Sequence, residues 1–466
     1  MTRSAMPPVV QNGSISARDG CSVLSEQIAA LRFDSISAHA RISAAQCLID
    51  ALGVAIAATE EPCVRGIREV VLADGATGPA RVWGTSVRAS ARDAALVNGT
   101  AAHALDFDDV SAVMGGHPTA PVLPAVLALG EEVNAAGPEL VTALIAGIET
   151  EVRVGSALGS AHYQRGFHTT ATAGTLGAAA SAARLLGLSP AGVATALGIA
   201  ATHASGLKSM FGTMCKPLHA GKAASAGVLA ARLAAAGYDT ARHALEGEQG
   251  LLRTLSDSSD PDALYQPFGQ PWHITDVLFK LHASCYLTHA SIEAALALRT
   301  EGLTPAAIDT VEISLSPAHL GVCSIPEPRT GLEGKFSVRF AIATALATGR
   351  TDESAFTDAA VADPVLVRLR DRVRVVTVDR FDRYAASVTV CDRDGRVWQA
   401  SDDVGKPRWS RTPAEQDERL GAKFDALVTP VLGASRAAAL RNLLGTPVSP
   451  PSARQLTELT EPGDGA

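Results

Sequence analysis

Residues 169–186 read TTATAGTLGAAASAARLL, and up to Ala183 only Leu176 is larger than threonine. Neighbouring helices can approach such a stretch closely, so it predicts a core built helix on helix. Composition agrees: Ala and Gly are abundant across the 466 residues, and aromatic residues make up only 4%. Outward from this run, helical apolar spacing recurs at 88–105, 118–134 and 138–158, and again at 189–204 and 217–236. Gly137-Pro138 and Ser189-Pro190 punctuate these patterns. Nearer the N-terminus, 22–32 and 42–56 keep helical apolar faces, and Val82-Trp83 reads as a short strand or an extended link. Residues 1–20 predict a disordered leader without the apolar segment of a secretory signal.

The pattern changes near Gln270. Residues 309–315, 373–378 and 386–390 alternate apolar and polar, as strands do, and Asp394-Gly395 between two alternating runs signals a hairpin. Helical patterns at 287–300 and 336–348 lie among them, which predicts a smaller α+β unit with an antiparallel sheet. Helices return at 412–427 and 434–444. The expected fold is mostly α: a large all-helical domain (21–269 and 404–446), an α+β lid domain (270–403) inserted before the C-terminal helices, and a disordered tail (447–466).

The formal net charge of −8 excludes a general nucleic-acid binder, which would carry a basic stripe. Apolar runs such as 121–130 are too short to span a bilayer, and longer helical stretches carry charges such as Glu149. The cysteine count is odd at seven and no C-x-x-C occurs, so a disulfide framework or a zinc site is not expected and a reducing, cytoplasmic setting fits. The absence of G-x-G-x-x-G removes the dinucleotide reading, and no metal or organic cofactor is expected.

Only seven of the 40 basic side chains are lysine, and three of those fall at Lys208, Lys216 and Lys222. Pro217 suits the first turn of a helix, which places Lys216, His219 and Lys222 around a helix N-terminus. Cations are disfavoured there unless an anion binds, so the segment reads as an anion site or as a solvated charged turn. Asp106, Asp108 and Asp109 lie within four positions, and their repulsion demands that one be paired, protonated or capping. His117 follows a Gly-Gly pair, and His168 opens the small-residue run; each reads as catalytic or as structural. Lys280, Cys285 and His289 complete a possible acid–base set whose spacing matches no standard zinc pattern.

Taken together and in order, His103–Asp109, Gly116-His117-Pro118, His168 with Gly174 and Gly177, Lys216-Pro217-Leu218-His219, Lys280 to His289, and Lys335-Phe336-Ser337 resemble the MmgE/PrpD family over about residues 22–440. The resemblance implies a helical domain, an α+β lid, a homodimer and metal-free chemistry on a small polycarboxylate. It places Asp106, His117, His168, Lys216 and Lys280 on active-site positions. The reaction implied is dehydration of the 2-methylcitrate dehydratase type, with epimerisation of the iminodisuccinate type next and cis-aconitate-type decarboxylation third. A carboxylate-binding protein without activity is the non-enzymatic alternative. Decarboxylase-type members carry Thr where this chain has Val110 and His where it has Cys285. In this scheme Lys216 and Lys280 hold the carboxylate, His117 or His168 is the base, and Asp106 orients an imidazole. Cys285 is an acid, a base or an inert buried thiol, while His219, Lys222 and His289 join Lys216 and Lys280 in binding substrate.

Overall fold

The Asp19 carboxylate accepts the Ser22 amide and so caps the first helix, α1 (Gly20–Ala30). The computed structural model describes residues 19–405 and 413–463. The predicted leader therefore lies outside the described residues, except for Asp19 and Gly20, which belong to this capped helix.

Eight further helices build the body: α2 (Ala38–Ala57), α3 (Pro62–Ala73), α4 (Ala91–Ala104), α5 (Thr119–Val133), α6 (Gly137–Gln164), α7 (Thr169–Leu185), α8 (Pro190–His203) and α9 (Cys215–Ala235). Small residues set their spacing, as residues 169–186 predict. At the α4–α9 crossing, a Cβ on Gly99 would lie 2.7 Å from the Gly221 Cα. Where α6 meets α7, a Cβ on Gly177 would lie 2.9 Å from the Gly147 carbonyl oxygen. Alanine at either position would push two helices apart. A two-stranded ribbon, β1 (Ala80–Arg81) with β2 (Arg88–Ala89), flanks Val82-Trp83, which lies in the link between the two strands. One helix, α2, does have the length and apolar composition to cross a membrane, against the sequence reading. It is largely buried within the body and carries an ion-paired Asp50.

After a short α10 (Leu251–Leu255), the α+β part comprises α11 (His289–Thr300), α12 (Gly331–Lys335), α13 (Val338–Thr348), α14 (Asp358–Val361) and α15 (Pro364–Arg370). Its sheet has the order β4-β3-β5-β6, from β3 (Ile308–Leu315), β4 (Val373–Thr377), β5 (Ala385–Asp392) and β6 (Val397–Asp403). Val311, Ile313 and Leu315 form the buried face of β3, and Val388 and Val390 pair with it in register on β5. The β5–β6 hairpin turns at Gly395, with φ 82°, while Asp392 accepts the Asp394 and Arg396 amides. The expectation of an antiparallel sheet is corrected at one pair: β3 and β4 run parallel. The connection between them holds four helices, long enough for the crossover that a parallel pair requires.

Two later helices, α16 (Pro413–Leu432) and α17 (Ala434–Leu444), return to pack on α2, so the α+β segment interrupts the helical body. The disordered tail is corrected too. Ser452 and Gln455 form a capping box that starts α18 (Ala453–Glu458). Ala453 and Leu456 are buried against the body, which anchors the segment.

Candidate active site

The first turn after α4 is the centre of the site. Its C-terminal carbonyls have no helical partner. Three successive carbonyls each accept a hydrogen bond from a different lysine: Leu105 from Lys335 at 2.7 Å, Asp106 from Lys280 at 2.6 Å, and Phe107 from Lys423 at 2.7 Å. Asp106 has φ 52°, a left-handed conformation that costs a non-glycine residue roughly 1–3 kcal/mol. The lysine bonds hold it there and turn its carboxylate towards Lys216.

The three aspartates that sequence grouped take three different states. Asp106 Oδ1 lies 2.5 Å from Lys216 Nζ and 3.2 Å from Lys280 Nζ. Burial opposes its ionisation, but the two ammonium groups outweigh burial and hold the carboxyl well below the usual range. Lys280 is fully buried, and Asp106 more than offsets the burial, so it keeps its proton. Asp108 Oδ2 lies 2.8 Å from His103 Nδ1 and 3.2 Å from His117 Nδ1. Burial again opposes ionisation, yet the imidazoles carry Asp108 well below the ordinary value. Asp109 accepts the Thr119 hydroxyl at 2.5 Å; burial and then Asp50 push it up to about 8, so it is neutral at pH 7. The orienting carboxylate for an imidazole is thus Asp108, not Asp106, because the positive φ turns Asp106 towards the lysines.

His117 is placed by Gly115, with φ 66°, and by its amide bond to the Thr170 hydroxyl at 3.0 Å. Its Nδ1 lies 2.8 Å from the Asp109 carbonyl. A carbonyl only accepts, so Nδ1 carries the proton and Nε2 keeps the lone pair. His168 immediately precedes α7, with its amide bonded to the Gly206 carbonyl and its Nδ1 3.0 Å from His219 Nδ1. Burial lowers the proton affinity of all three surrounding imidazoles: His168 well below the usual value, His103 and His219 to about 4.

Asp106, His117, His168, Lys216, Lys280 and Cys285 line one cavity between body and lid. A hydrogen bond from the Cys323 thiol lowers the pKa of Cys285. Three residues expected to bind substrate do not line this cavity. His219 sits behind His168 as its hydrogen-bond partner. Lys222 follows Lys216 by six positions, roughly 240° around the helix, and donates to the His203 and Ser205 carbonyls at and just after the end of α8. His289 is buried between His282 and Tyr286, with ring centroids 4.8 and 4.7 Å away. Sequence reading missed Asp108 as the imidazole partner, Lys335 and Lys423 as loop anchors, and Tyr163 and Arg383 as lining residues. The crowding of acids at 106–109 was the one available signal for Asp108.

Among the described residues, His103, Asp108 and His117 bring ligand atoms within 4.8 Å of one another, near enough for a metal ion. The same atoms are already matched as donors and acceptor by the two Nδ1–Oδ2 contacts.

A helical body, an interrupting α+β lid and, between them, a cavity lined by lysines and imidazoles define the architecture. The chain belongs to the MmgE/PrpD family: the MmgE/PrpD N-terminal domain matches residues 22–264 and the C-terminal domain residues 282–444. It is 28% identical to a cis-aconitate decarboxylase of Aspergillus terreus over 89% of this chain and 90% of that protein. It is 29% identical to the human cis-aconitate decarboxylase over 75% of this chain and 76% of the other. A cis-aconitate decarboxylase-like protein of Aspergillus oryzae, oryM, is 28% identical over 78% of this chain and 81% of its own.

Proposed function

We propose that this protein is a cofactor-independent lyase that removes a proton next to a carboxylate of a small di- or tricarboxylate, with dehydration as the net reaction. The observation that carries the reading is the bond from His117 Nδ1 to the Asp109 carbonyl, which leaves Nε2 as a base at a cavity lined by two lysines. Lys216 and Lys280 against Asp106 leave one net positive charge there, suited to a substrate carboxylate.

The C–H bond breaks, its proton goes to His117 Nε2, and its electron pair enters the carboxylate. The resulting doubly charged group gains more from the two ammonium groups than the ground state does. Asp108 stabilises the imidazolium formed on His117. The pair then returns to form a C=C bond as the β-C–O bond breaks, and His117 gives its proton to the departing hydroxyl, which leaves as water. Return of a proton to the opposite face of carbon would give an epimer instead.

Decarboxylation is the second reading, favoured by the names of the three relatives. It runs in the opposite order: the C–CO2 bond breaks first, leaving its electron pair on carbon, and a protonated histidine then gives its proton to that carbon. Val110 and Cys285, standing where decarboxylase-type members carry Thr and His, count against decarboxylation. Incubation with a panel of di- and tricarboxylates in deuterated water, after exhaustive chelation, tests the proposal. Deuterium uptake next to a carboxylate together with water loss is expected. CO2 release without water loss would replace dehydration by decarboxylation. Activity lost on chelation and restored by one metal would overturn the cofactor-independent mechanism.

A further inference from the structure

Arg383 lies in the turn between β4 and β5, is exposed, and lines the cavity from the lid side. Its nearest recorded aromatic partner is Tyr384, 5.8 Å from the guanidinium to the ring centroid, and no ion pair joins it to a described carboxylate. Across the cavity wall is Lys208, on the body. Lys208 Nζ sits 3.7 Å above the Tyr163 ring and donates to the Tyr163 carbonyl at 3.1 Å, again with no described carboxylate as partner. Tyr163 is common to the two sides. It lines the cavity with Arg383 and also the adjoining space that Lys208 borders. The two cations sense each other: after burial, the charge of Arg383 is the second cause lowering the proton affinity of Lys208.

The inner lysines have Asp106 between them; the outer pair has no counter-ion among the described residues. Arg383 faces the cavity and Lys208 the adjoining space, with Tyr163 between them, and an anion at that junction would relieve two like charges that have no carboxylate paired to them. Resting on the polycarboxylate reading above, we propose that Arg383 and Lys208 form an outer clamp for a second, distal carboxylate of the substrate, while Lys216 and Lys280 hold the first. Arg383 supplies a planar two-pronged donor and Lys208 a point charge, the combination that fixes a carboxylate in one orientation. The clamp selects di- and tricarboxylates over monocarboxylates.

Calorimetry on the full chain at low salt tests this with tricarballylate as the probe and propionate, which can reach only one pair, as the control. Arg383 is exposed, so Arg383→Gln is expected to fold normally. It should weaken tricarballylate binding about ten- to a hundredfold, the effect of losing a charge-assisted bond. Propionate binding should be unchanged. Arg383→Lys should restore part of the loss, and Lys208→Gln should reproduce it. Equal effects on both probes, unchanged tricarballylate affinity in Arg383→Gln, or no tricarballylate binding by the parent protein would overturn the clamp. Tricarballylate binding that depends on Arg383, in a protein that exchanges no α-proton, would leave the clamp standing and remove the catalytic reading. Proton exchange with unchanged affinity in the variants would do the reverse.

Discussion

The wall of the cavity built by the helical body differs in kind from the wall built after residue 270. The body contributes His117 and His168 to the wall, with His103, His219, Asp108 and Asp109 beside them. Burial and neighbours have moved the protonation of His168, His103, His219, Asp108 and Asp109 away from ordinary values. The other wall contributes Lys280 and Arg383, charges fixed across the working range, with Cys285 beside them. In the proposed mechanism, protons move on one side and charge is held on the other. Lys216 is the exception, a fixed cation carried by the body. The contrast means that turnover and affinity should respond to different walls.

The largest expected effect is on the body wall. His117→Gln should lower turnover and α-proton exchange by about 10²–10⁴-fold, the usual worth of a positioned base, with little change in KM. A raised KM with turnover intact would place His117 among the binding groups and break the contrast.

Lys216→Ala sharpens the exception. Lys216 meets a carboxylate that is charged both before and during reaction, so part of its contribution is uniform binding. Turnover should fall and KM should rise, each by about tenfold or more, given what a bond to a charged group contributes. Steady-state kinetics that show a change in turnover alone would assign Lys216 to the proton-moving side.

The smallest effect on activity belongs to Asp109→Asn, because His117 is held by the Asp109 backbone carbonyl, which asparagine retains. The variant should instead change how stability depends on pH. Asp109 stays protonated in the fold up to about 8, whereas an unfolded aspartate ionises near 3.9. Between these values the folded chain holds the extra proton. The contribution is therefore full below about 4 and is lost as pH rises through about 8. Urea unfolding at pH 5, 7 and 9 should show a steeper decline for the parent than for the variant. Equal slopes would mean that Asp109 is ionised in the fold.

Much of the fold was legible because small-residue helices and alternating strands leave periodic marks. The pattern at 169–186 foretold α7 nearly to the residue, and Asp394-Gly395 foretold the β5–β6 turn. The parallel β3–β4 pair was not legible, since alternation reports the face of a strand and says nothing of its neighbour's direction. Within the site, the crowded aspartates were rightly read as unable to share one state. Which would be paired and which protonated depended on a backbone turn at Asp106 that no spacing rule gives. The scarcity of lysine carried meaning, but not the one expected. Lys208, Lys222, Lys280, Lys335 and Lys423 all donate to backbone carbonyls, and among the described lysines it is Lys280, together with Lys216, that lines the cavity.

Those carbonyl bonds make the turn after α4 a checksum on the whole chain. The lysines that fix Leu105, Asp106 and Phe107 stand 230, 174 and 316 positions further along. The last of them, Lys423, comes from α16, a helix made only after the lid is complete. A chain still emerging from the ribosome already carries its histidines, but not the anchor that aims the loop beside them. Until α16 is made, the Phe107 carbonyl lacks its Lys423 bond, and one of the three anchors of the loop is missing.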